Sequence, residues 1–196
     1  MSGETLIRVV DDDASFARAL SRLLGARGYP VQSYGSGAEL LAELSSECRG
    51  CLVMDLNMPG MNGLELQSEL GRRGVRLPVV FLTGAADIPS TVQAMRDGAV
   101  DFLEKRAPNE QLMAAVERAL ASEREQRKLR ERFAALTERE LDVLRHVVRG
   151  RMNKQIAADL GIHERTVKLH RTAVTTKVGV RSAAELTVLA RSAGIL

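Results

Sequence analysis

Hydrophobic and polar positions along the first half of the chain alternate in blocks that predict strands and helices in turn. Short apolar runs bounded by turn residues predict five strands, and the segments between them repeat apolar residues at helical spacing. The strands are predicted at residues 6–10, 31–34, 51–55, 77–83 and 100–103. This alternation is typical of a parallel sheet with helices on both faces, the doubly wound α/β class.

The second half of the chain carries helical patterns only. The last helix of the α/β region begins near residue 108, and its pattern continues through a highly charged stretch to about residue 132. A capping box, Thr137-Glu138-Arg139-Glu140, then predicts the start of a new helix. Further helices are predicted at residues 153–160, 163–178 and 182–190. A short helix, a turn at Gly161 and a basic helix together form a helix-turn-helix pattern.

These patterns divide the chain into three parts. We predict an α/β domain, a helical linker and a small all-α domain of four helices at residues 1–122, 123–136 and 137–196. The net charge is only +3, but the first part has 12 basic against 16 acidic residues, the linker 5 against 3 and the last part 11 against 6. A basic domain that follows an acidic one indicates two functions, the second directed at a polyanion such as DNA.

Composition narrows the class of protein. Hydrophobic residues make up 45% of the chain, whereas aromatic residues make up 3% and Trp is absent, so the core is expected to be aliphatic. No apolar run approaches the roughly 20 residues that a membrane span needs. The first residues, Met1 to Thr5, lack the basic and then apolar layout of a signal peptide. We therefore expect a cytoplasmic protein that has no membrane partner.

The two cysteines form one Cys48-Arg49-Gly50-Cys51 segment, which could be a redox dithiol or half of a zinc site. There is no second thiol pair, and all three His lie beyond residue 145. Cys51 also opens an apolar strand, where a free thiol usually serves as a small buried hydrophobe. We favour that structural interpretation.

Polar side chains follow the apolar runs where several of the predicted strands end. The carboxyl ends of parallel strands share one edge, so we expect Asp11, Asp12, Asp55, Thr83 and Lys105 to meet there. Clustered carboxylates need a cation, and an all-oxygen ligand set favours Mg²⁺ or Ca²⁺. Asp55 is the candidate nucleophile for phosphorus, Lys105 the positive charge and Thr83 the hydroxyl donor.

These residues carry a resemblance to a known family. Asp11-Asp12, Asp55 with the following Met58-Pro59-Gly60, Thr83-Gly84 and Lys105 resemble the receiver domain of two-component response regulators, which has a flavodoxin-like fold. The segments at residues 153–157 and 165–171 are similar to LuxR-type helix-turn-helix domains. From Leu6 to about Ala190 the chain therefore resembles the NarL/FixJ family, most closely its FixJ-like branch.

The resemblance implies that a sensor histidine kinase phosphorylates Asp55. It implies Mg²⁺ held by Asp12, Asp55 and the backbone carbonyl of Asn57, with Asp11 contributing through water. It also implies a switch in which the Thr83 hydroxyl moves to the phosphate and the ring of Phe102 turns inward. No enzyme activity is expected beyond self-catalysed phosphotransfer to Asp55 and auto-dephosphorylation.

The chain departs from the family pattern after its catalytic lysine, which is usually followed by a proline with a cis bond between them. Here the pair is Lys105-Arg106, and proline comes only at Pro108. A cis bond before a non-proline residue costs about 2.5–4 kcal/mol, so we expect a trans bond. We further expect a reoriented loop that misplaces Lys105, with either slower phosphorylation or a partly decoupled switch as the consequence.

In a helix-turn-helix the second helix enters the major groove. Val167, Val174 and Val178 are predicted to face the core. The candidate base readers are Lys168, His170, Arg171, Thr172 and Thr175. The candidate phosphate contacts are Lys154 and Lys177, and the LuxR-type pattern adds Gln155, Arg165 and Thr166.

So small a module reads a short half-site, which predicts a homodimer on DNA. The resemblance places one dimer contact at residues 182–190 and a phosphorylation-dependent one around residues 88–103. RNA polymerase is a further expected partner.

The residues suggest three other interpretations. A phosphohydrolase typically has a second acid two residues after the nucleophile, whereas Asn57 cannot transfer protons. A dinucleotide-binding loop fails at Gly35-Ser36-Gly37, because Leu40 stands where the third glycine belongs. A DNA-binding regulator that is independent of phosphorylation, or modulated through Cys48 and Cys51, stays open as the alternative.

Overall fold

The computed structural model describes residues 5–45, 47–84 and 87–195. Residues 1–4, on which the expectation of no signal peptide partly rests, lie outside these ranges. The chain forms two compact units, residues 1–123 and 124–196. None of the helices in the described ranges combines the length and apolar character that a bilayer crossing requires.

The first unit contains the predicted five-stranded sheet, so the doubly wound, flavodoxin-like prediction is confirmed. The strands are β1 (Leu6–Val10), β2 (Val31–Tyr34), β3 (Gly50–Asp55), β4 (Val79–Thr83) and β5 (Asp101–Glu104). Every neighbouring pair is parallel, and the order is β2-β1-β3-β4-β5. The strand order therefore reverses direction between β1 and β3, the position where such sheets open a crevice for ligands.

Helices cover both faces of this sheet. They are α1 (Ala14–Gly25), α2 (Gly37–Glu43), α3 (Gly63–Arg72), α4 (Ile88–Arg96) and α5 (Asn109–Ala134). One apolar core contains buried residues of α2, α3 and α4, and the other contains those of α1 and α5. A Cβ on Gly63 would lie 2.5 Å from the carbonyl oxygen of Asp55, so glycine allows α3 to begin directly against the end of β3.

The second unit is all helical, as predicted. Its helices are α6 (Glu138–Val148), α7 (Asn153–Leu160), α8 (Glu164–Val178) and α9 (Ala183–Ser192), and α7 ends at Gly161 in the left-handed conformation, with a φ of 65°. Its core includes Phe133, which is almost fully buried although it lies within the segment predicted as a charged linker. The carboxyl end of α5 therefore packs as part of the helical unit.

Candidate acidic site and nucleic-acid interface

Four of the predicted site residues converge at the carboxyl edge of the sheet. Asp11 follows β1 and Asp55 ends the neighbouring β3, and both side chains are buried. Thr83 ends β4 with no exposed surface, and Lys105 follows β5. Asp12 lies beside them but is exposed to solvent. The parallel topology is what brings these distant positions in the chain together.

Lys105 makes the central contacts of the site. Its Nζ lies 2.7 Å from Asp11 Oδ2 and 2.8 Å from Asp55 Oδ2. Its backbone N–H donates to the Thr83 carbonyl at 2.8 Å, which continues the β4–β5 pairing by one residue. The ammonium therefore sits between two buried carboxylates, each of which would be costly to bury without it.

The expected misplacement of Lys105 is therefore wrong. No cis peptide bond occurs in the described ranges, so the Lys105–Arg106 bond is trans, as predicted. The exposed Arg106 side chain nevertheless turns away to pair with Glu104. The strand pairing that ends at Lys105 and the two carboxylates fix the lysine without help from the next residue.

The environment shifts the pKa values of Lys105 and Asp11. Burial lowers the pKa of Lys105, but hydrogen bonds to Asp11 and Asp55 outweigh it, and the net shift is upward. Burial raises the pKa of Asp11 above its ordinary value, a shift that the hydrogen bond from Lys105 opposes. Lys105 is therefore a permanent positive charge at neutral pH.

The residues present fit a divalent cation. Carboxylate oxygens of Asp11, Asp12 and Asp55 lie within 4.8 Å of one another, and two of these residues are buried. Receiver domains typically bind Mg²⁺ at such a cluster, and an all-oxygen set is the one that Mg²⁺ prefers. The Asn57 N–H donates to Asp55 Oδ1 at 3.1 Å, which holds its backbone close to the cluster. The Asn57 carbonyl as a ligand and the water on Asp11 stay predictions.

The two predicted switch residues have different surroundings. Thr83 is fully buried, and its Oγ1 accepts a hydrogen bond from Asn57 Nδ2 at 3.3 Å. Phe102 is half-buried on β5, and its ring centroid lies 5.9 Å from that of Phe81. Thr83 and Phe102 lie on neighbouring strands of the sheet, because β4 pairs with β5. Their movement on phosphorylation stays a prediction.

One contact at the site was not predicted. The ring of Phe16, in the first turn of α1, faces Lys105 Nζ at 4.6 Å from its centroid, within the range of a cation–π interaction. Phe16 is one of the apolar residues that recur at helical spacing in α1, and that spacing does not indicate which side chain it covers. Only the packing of α1 beside the end of β5 brings the two together.

The cysteines take the structural role that the sequence favoured. Cys51 is fully buried in β3, and burial raises the pKa of its thiol to about 12. Cys48 is half-buried, with its sulfur 3.4 Å from the backbone nitrogen of Ser45. The thiolate is the reactive form of cysteine, so the protonated Cys51 is unsuited to redox exchange.

In the helical unit the exposed surface of α8 is a continuous stripe. Val167, Val174 and Val178 are buried, as predicted. The residues that remain exposed at helical spacing, here called the outer stripe of α8, are Arg165, Lys168, Leu169, Thr172 and Thr176. Leu169 is 64% exposed at the centre of this stripe, and the pattern of polar residues in the sequence did not indicate it.

Other predicted readers are partly engaged within the protein. Thr166, His170, Arg171 and Thr175 are half-buried, and Arg171 Nη1 donates to Asn153 Oδ1 at 2.9 Å, which ties α8 to the start of α7. Lys154 and Gln155 are exposed at that same end of α7. The exposed basic surface is therefore built from α7 and α8 together.

Lys177 has partners inside the unit. Its Nζ lies 2.7 Å from Oε2 of the buried Glu140 and donates to the Ala135 carbonyl at 3.3 Å. The hydrogen bond from Lys177 and that from the Thr137 N–H hold the pKa of Glu140 below its ordinary value. The structure thus gives Lys177 a bracing role, and its phosphate contact stays a prediction.

Comparisons with known proteins agree with this geometry. Residues 7–117 match the response regulator receiver domain, and residues 134–190 match the luxR family of bacterial regulatory proteins. Nodulation protein W of Bradyrhizobium diazoefficiens is 40% identical over 99% of this chain and 88% of its own length. The transcriptional regulatory protein FixJ of Azorhizobium caulinodans is 40% identical over 96% of this chain and 93% of its own.

Solved structures show the same likeness. The response regulator StyR is 41% identical to this chain, and the alignment covers 96% of this chain and 99% of the StyR chain. The two structures superpose with a TM-score of 0.62. Full-length FixJ from B. japonicum is 35% identical over 99% of both chains, with a TM-score of 0.56.

Sheet, acidic edge and helix-turn-helix define a two-component response regulator, in which a receiver domain is joined to a DNA-binding domain that regulates transcription. The chain belongs to the NarL/FixJ family of response regulators. A receiver domain implies a histidine kinase partner, and a LuxR-type domain implies binding to DNA. The family consists of transcriptional regulators and not of classical enzymes.

Proposed function

We propose that Asp55 accepts a phosphoryl group from a sensor histidine kinase and that this modification controls dimerisation and sequence-specific binding to double-stranded DNA. The observation that carries the proposal is the placement of Lys105 Nζ, 2.8 Å from Asp55 Oδ2 at the carboxyl edge of the sheet. A cation in this position can neutralise the charge that gathers on phosphoryl oxygens during transfer.

The phosphoryl transfer is a single displacement at phosphorus. A carboxylate oxygen of Asp55 attacks phosphorus of the kinase phosphohistidine, the O–P bond forms and the N–P bond breaks. The imidazole nitrogen keeps the electron pair and takes up a proton. Asn57 N–H on Asp55 Oδ1 and Lys105 on Oδ2 orient the carboxylate. Hydrolysis of the acyl phosphate by water returns the free carboxylate and inorganic phosphate.

Mg²⁺ is the proposed cofactor. Asp12, Asp55 and the Asn57 carbonyl would hold it, with Asp11 acting through water, and it would supply further positive charge for phosphoryl oxygens. Asp11 remains bonded to Lys105, and its Oδ1 accepts the N–H of Asp13 at 2.9 Å. The protein thus keeps the metal ligands and the lysine in one connected network.

For signal transmission we propose that the Thr83 hydroxyl turns to the phosphoryl group and that Phe102 turns inward. Asn57, two residues after Asp55, donates a hydrogen bond from its Nδ2 to the Thr83 hydroxyl, which keeps that hydroxyl close to the site. The half-buried Phe102 has a position from which it can move further inward. Such a two-position pair can bias the populations of the inactive and active surfaces.

Exposed apolar side chains on α4 and α9 support the proposed homodimer. On α4, Ile88, Val92 and Met95 follow one another at helical spacing and are 80%, 42% and 46% exposed. On α9, Val188 is 67% exposed. Apolar side chains that stay in water on one face of a helix are typical of an interaction surface. We propose that residues 88–103 associate after phosphorylation and that residues 182–190 form a contact on DNA.

For DNA recognition we propose that the outer stripe of α8 enters the major groove. We propose the exposed Lys168, Leu169 and Thr172 as contacts to base edges and the exposed Arg165, Lys154 and Gln155 as contacts to phosphates. His170, Arg171 and Thr166 lie at the margin of this surface. The regulator would then act on transcription with RNA polymerase, in the cytoplasmic compartment that holds the DNA.

The proposal is tested by measuring DNA affinity with and without phosphorylation. Duplexes selected from a random pool by the full-length protein serve as the probe. Acetyl phosphate with Mg²⁺ is expected to increase affinity and to shift the protein to a dimer by light scattering. Asp55→Asn should show neither change. Equal affinity and unchanged mass in solution, with Asp55 phosphorylated, would favour the phosphorylation-independent alternative.

A further inference from the structure

The ring of Phe16 forms the third side of the space that holds the Lys105 ammonium. The other two sides are the carboxylates of Asp11 and Asp55, at 2.7 and 2.8 Å, and the ring centroid lies 4.6 Å from Nζ. We infer that Phe16 is a positioning residue that holds Lys105 in place for phosphoryl transfer. The inference rests on the proposed function of Asp55.

A chain of hydrogen bonds fixes this ring relative to the acidic site. The Asp13 N–H donates to Asp11 Oδ1 at 2.9 Å. Asp13 Oδ1 in turn accepts the N–H of Ser15 at 2.8 Å and that of Phe16 at 3.1 Å, as the N-cap of α1. The backbone of Phe16 is thus linked through Asp13 to the same aspartate that pairs with Lys105. The ring and the lysine are therefore both held in position relative to Asp11.

The ring offers a restraint on Lys105 that the Asp55 carboxylate cannot keep through the reaction. When Asp55 takes up a phosphoryl group, its carboxylate is consumed, and the bond to Lys105 must be exchanged for one to a phosphoryl oxygen. The attraction of an ammonium to a ring face does not depend on the charge state of Asp55. Phe16 therefore restrains Nζ during the exchange.

The surroundings of Lys105 show why such a restraint matters. A cavity of about 280 Å³, lined by Phe16, Leu20, Leu23, Leu82 and Leu112 among others, opens beside the lysine side chain. The following residue, Arg106, is exposed and pairs with Glu104 instead of supporting the lysine. Without the ring, the flexible side chain of Lys105 could swing toward this cavity and away from Asp55.

The test compares three variants of the full-length protein. Phe16→Leu keeps an apolar side chain but removes the ring face, and Phe16→Tyr keeps the ring. Leu23→Ala is the matched control, because it enlarges the same cavity two turns further along α1 and leaves the ring in place. The readouts are the rate of phosphorylation by saturating acetyl phosphate, beryllofluoride affinity by ¹⁹F NMR and Mg²⁺ affinity by calorimetry.

We expect Phe16→Leu to slow phosphorylation and to weaken beryllofluoride binding, each about 2- to 10-fold, the range of a partly exposed cation–π contact. Mg²⁺ affinity should not fall, since the ring touches no metal ligand directly. Phe16→Tyr should restore both values, and Leu23→Ala should match the wild type.

Two results would overturn the inference. One is a wild-type rate in Phe16→Leu, and the other is an equal loss in Leu23→Ala, which would show that general packing and not the ring is responsible. Failure of the proposed function itself looks different, because the wild-type protein would then take up no phosphoryl group at Asp55 under any of these conditions.

Discussion

The two units use charged side chains in opposite ways. In the receiver unit, oppositely charged groups are gathered into a buried cluster, where Lys105 lies within 2.8 Å of two aspartates. In the helical unit, the basic residues of α7 and α8 are spread over an exposed surface. Buried groups have fixed partners and geometry, which is suited to covalent chemistry. Exposed groups are free to meet a polyanion whose approach needs charge more than exact placement.

This difference predicts how substitutions act. Removing one member of the buried cluster should disable the site, because the other members lose a partner that nothing replaces. Removing one exposed cation should reduce the affinity for DNA by the contribution of one phosphate contact, and the other contacts should still form. The Lys177–Glu140 pair differs from the exposed basic residues of the helical unit, because its carboxylate is buried and has a fixed partner. We expect it to respond to substitution as the buried cluster does.

The largest effect is expected for Lys105→Ala. Loss of the cation that faces the phosphoryl group should slow phosphorylation of Asp55 about 100-fold or more, the effect of removing one donor from a charge-stabilising site. The rate is measured with acetyl phosphate and Mg²⁺ by mass spectrometry. Arg106→Ala, at the exposed neighbouring position, is the control and should keep the wild-type rate. A Lys105→Ala rate within threefold of wild type would contradict the assignment.

Substitutions on α8 and α7 should distinguish sequence-specific from sequence-independent binding to DNA. Leu169→Ser removes an apolar contact suited to a thymine methyl group, so it should weaken binding to selected duplexes by about 1 kcal/mol, the scale of one buried methyl group, and leave random duplexes unaffected. Lys154→Ala should weaken both kinds of duplex alike and lower the salt dependence by about one phosphate contact. Fluorescence anisotropy over a range of salt concentrations measures both. Identical behaviour of the two variants would refute the division.

The sequence was informative where the backbone alone decides the outcome. The proximity of Asp11, Asp55 and Lys105 could be predicted, because the carboxyl ends of the strands in a parallel sheet share one edge. Phe16 could not be assigned to Lys105, because that contact depends on how α1 packs. Phe133 was hidden among charged neighbours, although one aromatic residue at the end of a helix is enough to anchor it in a core. The misplacement expected of Lys105 overlooked the pairing of its N–H with Thr83.

The Lys177–Glu140 pair offers a stability test in the helical unit. Lys177→Met keeps the aliphatic stem but leaves the Glu140 carboxylate without its cation, which should destabilise the α8 region by about 1–2 kcal/mol, less than for a fully buried pair because Lys177 is partly exposed. Hydrogen exchange of α8 amides in the full-length protein measures this. Lys154→Met, on the exposed surface, should show no change.

The same variant should respond to pH in a defined direction. The folded-state pKa of Glu140 is lowered from 4.5, so its contribution is present above pH 4.5 and is lost as the pH falls through the folded-state pKa. The difference between Lys177→Met and wild type should therefore shrink in acid. A difference that grows below pH 4.5 would show that the carboxylate is not the group involved.

The smallest effect is expected for Arg106→Pro. Because Lys105 is already positioned by Thr83, Asp11 and Asp55, restoring the proline of the family pattern should change the phosphorylation rate by about twofold or less, the scale of a surface substitution. Stopped-flow or timed mass spectrometry resolves such a change. A tenfold acceleration would mean that Arg106 does limit the site.

The central claim is that Asp55 is the acceptor of the phosphoryl group. Intact-mass spectrometry of the full-length protein after treatment with acetyl phosphate and Mg²⁺, followed by peptide mapping, tests it most directly. The account predicts one adduct of about 80 Da, the mass of an added phosphoryl group, on the peptide that contains Asp55 and none in Asp55→Asn. An unmodified wild-type protein, or an adduct on another residue, would contradict it.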